Sequence, residues 1–355
     1  VIARTVHVVV PADIDDPARP SGGNAYDRRV CRALPATGRT VREIAVAGAW
    51  PEPDAAARAE LHRRLADVPD GADVLLDGLV ACAVPDVLAP HADRLRLVVL
   101  VHLPLGDEVG LPPAVAADRT ARERATVRLA AAVVATSPWA AGRLAEVHGL
   151  AADRVHVVPP GVEHAPLGIP HEAGDRLLCV GSVTPTKGQD LLVEALARIA
   201  DRTWSCRLVG PLVRDAAHVA TVRGLVERHV LGDRVELAGP RTGPALDEVY
   251  AAADLLVLPS RAESYGMVVT EALARGIPVL AAGVDGVPET LGRAQDGTVP
   301  GLLVPPDDVA ALATALGRWL DEPQLRRTAR AAARERRGAL TGWEVTARCL
   351  AEVLT

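Results

Sequence analysis

Residues 254–283, DLLVLPSRAESYGMVVTEALARGIPVLAAG, constrain the fold of this chain more than any other stretch. The stretch opens on Leu255-Leu256-Val257-Leu258, an apolar run with the length and branching of a buried strand. Pro259-Ser260 stops that strand, and a polar loop then carries Glu263. Gly266 lets the backbone turn closely before a helix expected over 267–274. Gly276 and Pro278 end the helix, and Ile277-Pro278-Val279-Leu280 begins another strand. The result is a strand, loop, helix, strand unit. One carboxylate, Glu263, lies in the loop, and a second, Glu271, lies on the helix.

This unit suits a particular ligand. The carboxyl end of a strand faces the start of a helix, whose free N–H groups and dipole attract anions. Gly266 has no side chain, so phosphate or sugar oxygens can approach the main chain. Carboxylates repel phosphate and are better suited to accept hydrogen bonds from hydroxyls. A molecule with phosphates in the middle and hydroxyls on both sides, as in a sugar nucleotide, meets both conditions.

Strand and helix patterns alternate along the rest of the chain at a spacing that argues for parallel sheets covered by helices on both faces. At 355 residues there is room for two such domains, each with its own core. Hydrophobic residues make up 49%, but phenylalanine is absent and there is one methionine, so Leu, Val and Ala must fill the cores. The net charge of −6 and the few aromatics exclude the usual means of gripping nucleic acid. Five scattered cysteines without a CxxC pair fit buried thiols in a reducing compartment. No apolar run approaches the roughly 20 residues of a spanning helix, and no charged-then-apolar leader is read in the sequence. A cytoplasmic location is expected.

Two further stretches have the form of anion cradles. Ser21-Gly22-Gly23-Asn24-Ala25-Tyr26 joins the first strand to the first helix, although it does not spell G-x-G-x-x-G. Gly181-Ser182-Val183-Thr184-Pro185-Thr186-Lys187-Gly188 does the same about 160 residues later and adds a point charge, Lys187. It lacks the G-x4-G-K-[ST] of a Walker loop, so ATP hydrolysis is not indicated. Together they suggest one ligand clasped across a cleft between two similar domains. His102 and Asp77 stand at strand ends, where side chains point into the ligand crevice of a parallel sheet. Asp13-Ile14-Asp15 has a metal-nucleotide spelling but sits in a Pro-rich loop beside Asp16, so no metal site is assigned to it.

Glu263-x7-Glu271 followed by EALARGIPVLA resembles the signature of retaining glycosyltransferases of family four, and the likeness covers nearly the whole chain. It implies an α/β, GT-B fold of two Rossmann-like parallel-sheet domains facing each other across a cleft. Residues 1–165 would form the acceptor-side domain, 166–335 the donor-nucleotide domain, and 336–355 a helix crossing back to the first. The implied reaction moves a hexose, with retention, from a nucleoside diphosphate sugar of UDP or GDP type to an acceptor hydroxyl. No cofactor and no metal are needed.

The resemblance makes His102, Lys187 and Glu263 catalytic. It assigns donor binding to Gly22, Gly23, Gly181, Ser182, Lys187 and Arg241, with Glu263, Ser264, Tyr265, Gly266, Met267, Val268 and Glu271. Asn24, Tyr26 and Asp77 are candidates to face the acceptor. Ser182 departs from the pattern, since many members have an arginine there; Arg261 or Arg241 could compensate. A soluble small-molecule acceptor is favoured, because Arg28, Arg29 and Arg32 on the first helix are diluted by Asp27 and peripheral membrane contact is not indicated.

Three rivals remain beside this reading. A retaining glycosidase needs carboxyls about 5 Å apart, whereas eight helical residues span about 12 Å. A GT-B epimerase or phosphorylase shares the fold. A non-catalytic sugar-nucleotide-binding protein would fit the loss at Ser182. The arginine-rich run from 326 reads as a solvated helix face.

Overall fold

The computed structural model describes residues 4–354. Twelve strands among them form two six-stranded sheets in which every pairing is parallel. The first sheet holds β1 (Thr5–Pro11), β2 (Thr40–Val46), β3 (Asp73–Asp77), β4 (Arg96–Val101), β5 (Ala132–Ala135) and β6 (Val155–Val157), in the order β2-β1-β3-β4-β5-β6. The second holds β7 (Arg176–Val180), β8 (Ser205–Val209), β9 (Val235–Gly239), β10 (Leu255–Leu258), β11 (Val279–Ala282) and β12 (Gly301–Val304), in the order β12-β11-β10-β7-β8-β9. The central strands read as unbroken apolar runs because helices cover both faces. All of β3, β5, β10 and β11 is buried. In the second unit two apolar clusters fill the space on either side of the sheet, one containing Trp319 and the other Tyr250.

Strand order decides where ligands can bind. In an open parallel sheet the crevice lies beyond the carboxyl ends where the order reverses. That point falls between β1 and β3 in the first sheet and between β7 and β10 in the second. Side-chain caps set several helix starts: Asp54, Ser137, Asp215 and Asp308 each accept from a backbone N–H at 2.8–3.0 Å, a contact worth about 1 kcal/mol apiece.

The chain divides into two compact units, 1–15 with 22–161 and 342–355, and 16–21 with 162–341. The last helix, Trp343–Val353, therefore belongs to the first unit. Its Thr346 hydroxyl donates to the Pro159 carbonyl at 2.9 Å. At its other end Arg39 and Arg96 donate to the Ala351 and Val353 carbonyls, both at 2.7 Å. These are terminal carbonyls that the helix leaves unsatisfied.

Two expectations need correction. The helix Gly22–Ala33 starts on the glycine pair, which is therefore its first turn and not a loop before it. The helix Pro323–Arg337 is not simply a solvated face. Arg326 is 6% exposed and donates to the Trp319 and Leu320 carbonyls at 2.6 and 2.7 Å, and Arg337 donates to the Ala165 carbonyl at 2.7 Å. A guanidinium has five donors, so an arginine-rich helix can staple neighbouring chain ends where charge counting sees only solvent.

Candidate functional site

At the reversal point of the second sheet the loops after β7 and β10 lie side by side. Gly188 has φ +67°, and a Cβ placed there would come 2.2 Å from the Pro259 carbonyl oxygen, so only glycine allows the approach. The Arg261 N–H donates to the Thr186 carbonyl at 2.8 Å, joining the same two loops. This brings the Lys187 ammonium 2.5 Å from a Glu263 carboxylate oxygen. The two side chains are 29% and 13% exposed, so the pair is reachable by a ligand and incompletely screened by water. Lys187 is the only lysine in the chain. Every other long cation is arginine, so a compact ammonium is found only at this cradle.

Hydrogen bonds fix the Glu263 main chain from both sides. Its N–H donates to the Asp285 carboxylate at 2.8 Å, and its carbonyl accepts from the Gly286 N–H at 3.2 Å. Gly266, at φ +84°, starts the helix Met267–Ala274, whose first turn carries Met267 and Val268, both half-buried. Ser264 is buried beside it, and burial pushes the Tyr265 hydroxyl up to about 12. Glu271 is more than a solvated helix carboxylate, because it accepts from the buried Tyr250 hydroxyl at 2.6 Å. Arg275 lies 4.6 Å over the Tyr250 ring. Gly181 and Ser182 lie half-buried after β7, and Gln189 donates to the Ser182 carbonyl at 3.0 Å.

Arg261 does not stand in for the cation missing at Ser182. Its guanidinium grips both Asp190 oxygens at 3.0 and 2.7 Å, Asp307 at 2.6 Å and the Pro185 carbonyl at 2.7 Å. Burial alone would raise the Asp190 carboxyl, but its bonds to Arg261 outweigh that and hold it below the usual range. Arg241 is exposed and donates to the Pro240 carbonyl at 3.0 Å.

The first sheet has a different group at its reversal point. His102 follows β4, with its side chain 21% exposed, and the imidazole lies against Gly23, where a Cβ would come 3.0 Å from its Cδ2. Its Nε2 is 2.9 Å from an oxygen of Asp27, a side chain 3% exposed on the helix Gly22–Ala33. Asp77 closes β3, is 4% exposed and accepts from the Leu79 N–H at 2.7 Å. One ligand atom each from Asp27, Asp77 and His102 lies within 4.8 Å of the others. Burial, reinforced by the nearby Asp27, pushes the Asp77 carboxyl up to about 8. For His102 burial acts downward, but Asp27 and then Asp77 outweigh it and the imidazole is raised above its ordinary value.

Two acceptor-facing candidates are thus placed otherwise. Tyr26 is fully buried, donates to the Val158 carbonyl at 3.0 Å and packs edge-on to His102. Asp77 is a buried cap, and Asn24 is half-buried. The residue that sequence reading missed is Asp27. Its signal was its place four residues after Gly23, on the same helix face.

A second trio, His171, Asp175 and Asp254, also has metal-ligand spacing. There Asp254 already accepts from the His171 and Arg176 N–H groups and the Arg176 guanidinium, so it holds chain together instead. Asp15 of the D-x-D spelling is taken by Arg28 at 2.7 Å. Among the described residues no helix is long and apolar enough to cross a membrane.

Comparison with known proteins places these two halves. Residues 166–336 match the model described as glycosyl transferases group 1, and residues 4–165 match glycosyltransferase family 4. Among curated relatives, a D-inositol 3-phosphate glycosyltransferase 1 of Catenulispora acidiphila is 36% identical over 73% of this chain and 64% of its own length. A D-inositol 3-phosphate glycosyltransferase of Kineococcus radiotolerans is 36% identical over 67% of this chain and 60% of its own. The chain thus spans less than two thirds of the length of these relatives. Among solved structures, a sucrose-phosphate synthase of Thermosynechococcus elongatus shares 25% identity with a TM-score of 0.80, covering 99% of this chain and 98% of that one. Anabaena HepE, solved in complex with UDP-glucose, shares 20% with a TM-score of 0.76, covering 99% of each chain.

Proposed function

The chain belongs to the family 4, group 1 glycosyltransferases, and from that premise we propose that it transfers a hexose from a nucleoside diphosphate sugar to an acceptor hydroxyl with retention and without a metal. The observation that carries this is the joining of Lys187 to Glu263 by two interlocked loops at the reversal point of the second sheet.

A diphosphate leaving group gathers negative charge as its bond to the anomeric carbon breaks. Lys187 and the N–H groups at the start of the helix Met267–Ala274 meet that charge, and such preorganised groups are worth most where charge develops. In the free protein Lys187 is neutralised by Glu263. A bound diphosphate competes for the ammonium, and Glu263 is then released to accept from sugar hydroxyls. Glu271, oriented by the Tyr250 hydroxyl, accepts from the ribose hydroxyls. The bond electrons go to the leaving phosphate oxygen. The acceptor oxygen attacks the same face of the sugar, and its proton passes to that phosphate oxygen, so no protein base is consumed.

The donor is of UDP or GDP type, and UDP is favoured by the HepE likeness. The relatives' names point to a phosphorylated inositol as acceptor.

The test is release of nucleoside diphosphate from UDP- and GDP-hexoses with a panel of polyol and phosphorylated acceptors in EDTA. Acceptor-dependent release that is lost in Lys187→Ala supports the reading. Release that needs no acceptor, or that survives the substitution, overturns it.

A further inference from the structure

The donor crevice lies beyond the carboxyl ends of the second sheet, and the opposite edge of that sheet carries a pocket that the transfer chemistry does not use. It lies where the chain enters β10 and β11, lined among others by Asp254, Arg275, Gly276, Pro278, Arg330 and Arg334. Arg330 and Arg334 stand four residues apart on the helix Pro323–Arg337 and so share one face. Gly276 has φ +67°, and a Cβ there would come 3.0 Å from the Arg334 Cγ, so the arginine's stem passes over a glycine.

The acids at this edge are already engaged. Buried Asp254 accepts from the His171 N–H at 2.6 Å and from the Arg176 N–H, Nε and Nη2 at 3.0, 3.0 and 2.8 Å, so Arg176 matches its charge. Arg275 pairs with Asp247 and donates to the Glu271 carbonyl at 2.8 Å. Two guanidiniums are left over. Arg334 is exposed and makes no hydrogen bond or ion pair among the described residues. The Arg330 side chain is 15% exposed; its Nη2 donates to the His171 carbonyl at 2.7 Å and stands 4.0 Å from Asp254. Its Nε is buried with no hydrogen-bond partner. A buried N–H in that condition is costly unless an acceptor meets it. Burial lowers the Arg330 guanidinium; Asp254 acts upward, but Arg326, Arg334 and Arg176 act with burial, so the surroundings are positive.

We propose that Arg330 and Arg334 form a second oxyanion site on this chain, for a phosphate-class group, at the edge of the second sheet opposite the donor crevice. A phosphate oxygen accepts from the idle Arg330 Nε–H, and the Arg334 fork supplies paired donors to the same group, the geometry in which a guanidinium exceeds an ammonium. The anion also relieves the repulsion of two like charges one helical turn apart. The site is independent of Lys187 and of the transferase reading. Its phosphate arrives either free or on a lipid, because Leu167 and Ile169, which flank the lining residue Gly168, are 44% and 83% exposed. Apolar side chains beside basic ones are what a phospholipid surface takes.

The test uses the full chain with Lys187→Ala, which silences the donor cradle. Inorganic phosphate is titrated at constant ionic strength and its phosphorus NMR line width is followed. Melting temperatures are the wrong readout, because phosphate stabilises folded proteins by exclusion from their surface. Saturable broadening is expected. Adding Arg334→Ala should weaken it about tenfold, as for loss of one hydrogen bond to a charged group, and Arg330→Gln at least as much. Arg334 is exposed, so Arg334→Ala serves if Arg330→Gln does not fold. In the second arm the same chain is floated with phosphatidylcholine vesicles, with and without phosphatidate. Capture that requires phosphatidate and is lost in Arg334→Ala supports the site with a lipid as the source. Broadening without capture supports it with a free anion as the source. Neither broadening nor capture, or binding that both arginine variants leave unchanged, overturns the proposal.

Discussion

The two units carry parallel sheets whose order reverses once, and each gathers polar side chains at that reversal, yet the two groups have opposite electrical characters. In the second unit a lysine and a glutamate neutralise each other at a partly exposed point, ready for a diphosphate to displace one from the other. In the first, two buried acids lie beside a half-buried histidine. The topology fixes where a site can form. The side chains entering that place decide whether it takes an anion or holds protons.

The largest effect should come from removing the one ammonium. Lys187→Ala is expected to lower kcat by 10²- to 10³-fold, as for loss of a single transition-state donor, measured as acceptor-dependent nucleotide release. Lys187→Arg should recover little, because the fork cannot reproduce a point charge in so small a space. If Lys187→Arg were fully active, the contrast between the units would lose its sharpest element.

Next in size is Gly188→Ala. Its methyl group would meet the Pro259 carbonyl, and its φ is one that alanine adopts at a cost. Strain and displacement together should cost roughly 2–4 kcal/mol of stability, read from denaturant melts. The loss should be accompanied by weaker nucleotide binding, because the two loops part.

The first unit should reveal itself through pH. The folded Asp77 is pushed up to about 8 from an ordinary value near 3.8, so between those pH values the folded protein holds a proton that the unfolded chain has lost. Stability must therefore fall as pH rises across that window, by about 1.4 kcal/mol per unit at most for one proton. The raised His102 acts in the same direction: its contribution is complete below its unfolded value near 6.5 and is lost as pH climbs through the folded one. Asp77→Asn should flatten the slope between pH 5 and pH 8 in thermal melts, whereas Lys187→Ala should leave it unchanged.

The smallest effect concerns Tyr250, whose hydroxyl holds Glu271. Tyr250→Phe removes one hydrogen bond worth about 1 kcal/mol. It should weaken nucleotide binding about fivefold by calorimetry, with kcat little changed.

The second unit's group was far more legible in the sequence than the first's. Lys187 and Glu263 each stand in a loop between a strand and a helix, and each motif is local, with glycine marking the turn. What sequence could not give was their contact, which depends on β7 lying beside β10 although some 75 residues separate them. Nor did it show that Arg261 is consumed by Asp190 and Asp307, because pairing among charges that are distant in sequence leaves no periodic trace. In the first unit His102 drew notice by its strand end, but Asp27 looked like one charge among several on an arginine-rich helix. Tyr26, beside it, was expected to face a ligand and is instead buried among rings. On a helix one residue's shift turns a side chain by about 100°, so neighbours in sequence diverge between crevice and core.

The central claim, that the second unit binds a nucleoside diphosphate through Lys187, is tested most directly by thermal stabilisation with UDP, GDP, ADP and TDP in EDTA. A ligand at 100 times its dissociation constant adds about 2.7 kcal/mol to the folded state. The account predicts a clear upward shift with UDP or GDP that collapses in Lys187→Ala. An equal shift in that variant, or none with any of the four nucleotides, would contradict it.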